Sequence, residues 1–137
     1  MSNSTQNALL LIRNHLLSVS EITSILKDRV YTEHFYDFEN QSVIFPLVIL
    51  EIIDGEANYG MDSQRLVLHL YTYSKISSGQ CRNLHDTIYS NLHAQRLYNE
   101  NIQVAGTLRE AERPISGFNT ETRAWFCRSL YIVNTAG

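Results

Sequence analysis

Cysteine is scarce in this chain: only Cys81 and Cys127 occur in 137 residues. Two thiols so far apart do not make the disulfide framework that staples small secreted domains, so a reducing, cytoplasmic setting is expected. Long apolar runs are missing as well. The longest, residues 43–50, is interrupted by Pro46 and followed by Glu51, whereas a bilayer-crossing helix takes roughly 20 apolar residues. Residues 1–7 are polar and uncharged, and the apolar stretch 8–12 is too short for the core of a secretory leader. Neither a leader nor a membrane partner is expected. No sign of charge dominates: eleven Lys plus Arg stand against fourteen Asp plus Glu, a net −3. That balance removes the electrostatic case for general nucleic-acid binding, which rests on displacing phosphate counterions from a basic surface.

Catalytic signatures are equally scarce. The sequence holds no Walker-type or Rossmann glycine pattern, no CxxC pair, no HExxH and no GxSxG. Gly55 and Gly60 are too isolated for a phosphate cradle and read as loop geometry. No cofactor, no metal and no catalytic residue is therefore expected.

What is present is an ordinary globular balance, 44% hydrophobic and 18% charged, with no repeat or linker, so one domain over 1–137 is the simplest reading. A chain of this size buries roughly two-thirds of its extended surface and folds without staples. Leu9, Ile12 and Leu16 repeat at helical spacing, broadened by Leu10 and Leu17, and predict a first helix after Ser4 or Thr5. Residues 20–26 predict a short second turn or helix, followed by a short extended segment at 29–31. Residues 45–53 are apolar on both faces and read as an inner strand that starts after Pro46. Residues 54–63 are polar and read as a long hairpin loop. In 64–73, Leu66, Leu68 and Leu70 alternate with Arg65, Val67, His69, Tyr71 and Tyr73, the pattern of a strand with one buried face. Ser77 or Ser78 caps a second substantial helix to about residue 96, with Leu84, Ile88 and Leu92 as its seam and Cys81 one turn earlier. Strands at 101–109 and 122–133 follow, the latter with Phe126, Leu130 and Ile132 on one face. Pro114, Gly117 and Asn119 place a turn across 110–121. The order predicts an α+β sandwich: an antiparallel or mixed sheet of four to five strands, covered mainly on one face by two main helices.

Few residues invite a chemical role. His85 beside Asp86 resembles the His-Asp pair of metal-dependent phosphohydrolases, but the further His and Asp ligands would need more helices than two. Cys81 and His85, at i,i+4, have the spacing of a thiolate–imidazole pair, although a small buried thiol is the plainer reading. A Cys81–Cys127 disulfide would need helix and strand to adjoin. The less ordinary feature is the far face of the third strand, where Arg65, His69, Tyr71 and Tyr73 collect and Tyr59 precedes them. Tyr and Arg are favoured at protein contacts, and eight tyrosines with one tryptophan lean toward oligomerisation. Alternating charge at Arg109, Glu110, Glu112, Arg113, Glu121, Arg123 and Arg128 surrounds the last hairpin and suits a contact whose register is fixed by complementary signs.

Several local patterns resemble the tail terminator, or tail-completion, proteins of long-tailed bacteriophages. They are an opening helix with Ala8-Leu9, the linker ending Asp28-Arg29-Val30-Tyr31, and Phe45-Pro46-Leu47-Val48 leading a strand. The strand ending Leu70-Tyr71-Thr72-Tyr73-Ser74-Lys75 into the second helix, the helix at 81–92, and the closing strands at 102–109 and through Trp125-Phe126 complete them. The resemblance spans about residues 8 to 133. This chain differs in its last hairpin, with Pro114-Ile115-Ser116-Gly117-Phe118-Asn119 where many relatives carry a short Asp-Gly turn, and in the aromatic segment 32–42.

The resemblance implies a non-enzymatic virion protein of the tail or neck, assembled in the host cytoplasm. Such proteins self-associate into a ring, a hexamer, that caps the tail tube protein, stops its polymerisation and meets the head connector or stopper protein. DNA would pass through the channel without sequence-specific binding. A ring needs two different patches on each subunit. The candidates are the loop and third-strand face (Asp54, Gly55, Tyr59, Arg65, His69, Tyr71) and the hairpin (Arg109, Glu112, Arg113, Phe118, Asn119). A head-completion or stopper protein, a host-protein adaptor and a small metal-dependent hydrolase using His85 and Asp86 are the alternatives.

Overall fold

Alternation along one strand organises the molecule. The computed structural model describes residues 4–32, 44–57, 63–99 and 104–136. Its elements run α1 (Ser4–Leu17), α2 (Ser20–Leu26), β1 (Val30–Thr32), β2 (Leu47–Ala57), β3 (Ser63–Ser74), α3 (Ser78–Leu92), β4 (Arg96–Asn99), β5 (Val104–Asn119) and β6 (Ala124–Ala136). The six strands form one sheet in the order β1-β2-β3-β6-β5-β4. β1 runs parallel to β2 and the other neighbours are antiparallel. The α+β class and the mixed sheet are as expected. The sixth strand is β4, which begins where the second helix is expected to end and runs on through residues to which the sequence assigns no element.

Because paired residues share a face, register sorts the sheet. Leu66, Leu68 and Leu70 of β3 stand beside Val133, Tyr131 and Ser129 of β6, and Leu70 stands beside Leu50 of β2. All of these are buried. They face the three helices, and all but Ser129 join Ile12, Leu16, Ile22, Leu26, Leu84, Ile88 and Leu92 in the main core. Each fully buried Leu or Ile contributes about 1.5–3 kcal/mol relative to exposure. α1 lies over β1, β2, β4 and β5, α3 lies over β3, β5 and β6, and α2 contacts both helices. No single described helix is long and apolar enough to cross a membrane, and α2 turns 90° from α1 so that both feed this core.

Four boundaries depart from the sequence reading. α3 stops at Leu92 instead of near residue 96: continuing would leave Leu97 on the wrong side, and instead His93 turns extended, Ala94 takes a positive φ of 60° and Leu97 buries in β4. β2 continues to Ala57 through a register shift between Ile52 and Asp54, so Asp54 and Gly55 belong to a strand and not to a loop. β5 runs through the expected turn region 110–121, and the true turn is 120–123. Pro114 is accommodated because two register shifts, between Glu110 and Glu112 and between Glu112 and Ile115, release the ladder where its missing N–H would otherwise be required. β6 starts at Ala124 instead of residue 122, since the turn consumes Thr122 and Arg123.

Arg29 fastens the helical layer to the sheet. Its Nε donates to the Pro46 carbonyl (2.9 Å) and its guanidinium NH2 to the Ile25 carbonyl near the end of α2 (3.0 Å). Arg13 of α1 donates from Nε to the Val30 carbonyl of β1, 2.6 Å away. Replacing Arg29 leaves two carbonyls short of a donor. Arg29→Ala should lower stability by about 1–3 kcal/mol in urea unfolding, and Arg29→Lys should recover little, because an ammonium does not reproduce the fork.

Candidate interaction surface

Two groups of residues carry the functional question: the catalytic ingredients on α3 and the aromatic and charged residues of the sheet and last hairpin.

Cys81 lies at the start of α3, fully buried, with its thiol donating to the Trp125 carbonyl (3.2 Å) and the Thr72 carbonyl (3.7 Å). Burial, and then the neighbouring Cys127, push its pKa up to about 11, against a hydrogen bond from the Ser74 backbone. A thiol held protonated against main-chain carbonyls is not the activated thiolate of a Cys–His pair. Helix and strand do adjoin here, yet both cysteines are buried thiols outside any disulfide. His85 is buried, and its Nδ1 donates to Asp86 Oδ1 across 3.2 Å, with the Asp86 side chain 78% exposed. The His85 ring stacks toward Tyr89 at 6.3 Å, and Tyr89 stacks on His93 at 4.6 Å. Among the described residues, no three His, Cys, Asp or Glu side chains gather as a metal site would require.

The far face of the sheet is richer. Tyr71 pairs in register with Ile49 on β2 and Arg128 on β6, and His69 with Glu51 and Leu130. Tyr71 stacks on Tyr73 at 6.0 Å and lies 6.2 Å from the tilted ring of His69. One end of this face holds a second cluster, Leu47, Ile49, Tyr73 and Ala124, with Tyr31, Phe45, Tyr71 and Phe126 packed against it. Tyr73 is therefore 8% exposed, part of a small core instead of an open contact. Phe126, Leu130 and Ile132 share this far face and are half-buried, while the β6 residues under the helices are Cys127, Ser129, Tyr131 and Val133.

The two patches expected from the sequence meet in one sheet. Asp54 stands opposite Val67, Gly55 opposite Leu66, and Arg65 opposite Glu56. Arg109 stands opposite Ile132 and Glu112 opposite Leu130, which puts both on the face that carries His69 and Tyr71. Arg113 falls in the second register shift of β5, away from the hairpin tip. Tyr59 lies outside the described residues.

Only Phe118 and Asn119 of the hairpin set stand at its tip. Asn119 Oδ1 accepts from the backbone N–H of Glu121 (2.9 Å) and Thr122 (3.1 Å), which fixes the turn. Phe118 is 47% exposed and meets Trp125 edge-on, with centroids 4.9 Å apart. Gly117 lies under Phe126, where an added Cβ would sit 3.2 Å from the ring. Sequence reasoning missed Ile115 and Ile76, both exposed; an isolated isoleucine beside turn residues carries no periodic signal. It also missed a groove of about 480 Å3 between α2 and α3, lined by Ile25, Gln80, Asn83 and Thr87 among others.

Two buried acids give a pH signature. Burial, with Tyr71 and Glu51 beside it, raises Tyr73 to about 12, as burial raises Cys81 to about 11. Both stay protonated in the folded chain at pH values where the unfolded chain already releases the proton. Their contribution is intact below the ordinary thiol value of 9.0 and is lost as pH rises through about 11 and 12. Urea midpoints should therefore hold level up to about pH 9 and fall above it, with a shallower fall in Cys81→Ala. The Asn119→Ala variant should lose about 1 kcal/mol, since two turn N–H groups lose their acceptor.

No protein-family model matches the chain, and no curated protein matches it. Among solved structures it is similar to a chain of a particle described as "Virion of native gene transfer agent (GTA) particle". The superposition has a TM-score of 0.75 and covers 100% of both chains at 6% sequence identity. At that identity, what the two chains share is the fold.

Proposed function

We propose that this chain is a structural, non-enzymatic virion protein of the neck, of the tail-terminator kind. The observation that carries the reading is the coincidence of fold, end to end, with a chain of a virion particle. The residues agree with it: the thiol of Cys81 is occupied by backbone carbonyls, and the last hairpin presents the exposed apolar side chains Ile115 and Phe118. In this role copies of the chain close into a six-membered ring on the end of the tail tube, stop its growth and offer the head connector a docking surface. DNA passes through the opening without base recognition, in keeping with a mildly acidic chain.

Native mass measurement and electron microscopy of the purified protein, alone and mixed with tail tubes, should show six-subunit rings. Infection lacking the protein should accumulate over-long tails. Unattached, DNA-leaking heads with tails of normal length would instead mark a stopper, and a chain that stays monomeric beside tubes would overturn the assignment.

A further inference from the structure

If copies of this chain form a ring, each must carry a donor patch and a different acceptor patch, placed so that one molecule cannot satisfy both. The hairpin tip has the character of a donor. Phe118 projects 47% exposed from a turn fixed by Asn119 and is braced by Trp125, so an aromatic anchor is presented with little freedom left to lose on binding. The groove between α2 and α3 has the character of an acceptor. Its volume is about 480 Å3, inside the range of roughly 300–1,000 Å3 in which proteins receive small apolar groups. Leu84 forms buried lining, Ile25 is 40% exposed, and Gln80, Asn83 and Thr87 give a polar rim.

The two lie on different flanks of α3. Arg82 reaches Ser116 of β5 at 3.4 Å, which places the hairpin on its own flank. Gln80, Asn83 and Thr87 turn to the flank shared with α2. At about 3.6 residues per turn these directions are well separated, and the hairpin does not line the groove of its own chain. Charge matches as well. The exposed Glu21 lies one turn before Ile25 on α2, and the exposed Lys27 follows it; the tip carries the exposed pair Glu121 and Arg123. Each sign on the tip has an opposite sign beside the groove.

We propose that the tip of the β5–β6 hairpin docks into the α2–α3 groove of a second copy of this chain, with Phe118 in the groove and Arg123 against Glu21. The proposal rests on the ring reading above and supplies its subunit contact.

Sedimentation velocity of full-length protein over a concentration series, alone and on tail tubes, tests it. Phe118→Ala, Arg123→Glu and Glu21→Arg should each raise the concentration needed for assembly by about tenfold or more, with urea midpoints and far-ultraviolet circular dichroism unchanged. The double variant Arg123→Glu with Glu21→Arg should regain most of the association. As an arm independent of lost contacts, chains carrying Phe118→Cys mixed with chains carrying Asn83→Cys should cross-link between copies under mild oxidation. Wild-type rings that persist in all three single variants, with no such cross-link, would overturn the docking and leave the ring standing. Rings that form normally in Phe118→Ala but no longer bind tubes would assign the tip to the tube and also overturn it. A wild-type protein that never assembles would remove the ring reading itself.

Discussion

The register of β3 between β2 and β6 is the constraint on which the remaining structure depends. Leu68 sits between Ile52 and Tyr131, under the helices. Side chains on a strand alternate with a period of two, so a slip of one residue would drive His69 into the helical layer and expose Leu68. With that register held, Thr72 falls where its hydroxyl donates to the Cys127 carbonyl (3.1 Å) and approaches the Cys81 carbonyl (3.5 Å). Two residues on, Ser74 bonds Gln80 and accepts from the Ile76 N–H, while the Ser77 hydroxyl caps α3 at the Gln80 N–H (3.1 Å). The position of α3, and through it the flanks toward β5 and α2, follows from a single strand pairing.

Much of this was legible in the sequence. Residues whose burial repeats over several turns, such as Leu9, Ile12 and Leu16, or Leu84, Ile88 and Leu92, announce their helices because one face must meet a core. The leucines of β3 announce a one-sided strand for the same reason. β4 was not legible: four residues, the buried Leu97 among them, are too short to show a period. β5 was misread because Pro114, Gly117 and Asn119 have turn chemistry, and a proline at a ladder irregularity looks, locally, like one in a loop. The distinction lies in which neighbouring strand needs an N–H, and that is tertiary information.

The candidate surface was legible to a similar degree. His69 and Tyr71 were correctly placed on the face away from the helices, and Phe118 and Asn119 near the end of the last hairpin. Tyr73 looked equivalent to Tyr71, but it lies over Leu47 and Ala124 in a second cluster, a difference that depends on which strand end is covered. The tie from Arg29 to Pro46 and Ile25 was visible only as a local word in the sequence. Its meaning comes from carbonyls 17 and 4 residues away, brought together by the parallel pairing of β1 with β2.

The irregular course of β5 has a bearing on solubility. β4 accompanies it only from Val104 to Thr107, so among the described residues its outer border has no strand partner from Leu108 onward. A long straight border of that kind is a template for fibril growth. Here the backbone steps out of line twice, so an incoming strand finds no uninterrupted row of donors and acceptors to extend. The molecule can thus be crowded against its own copies and still resist stacking into an endless cross-β ladder.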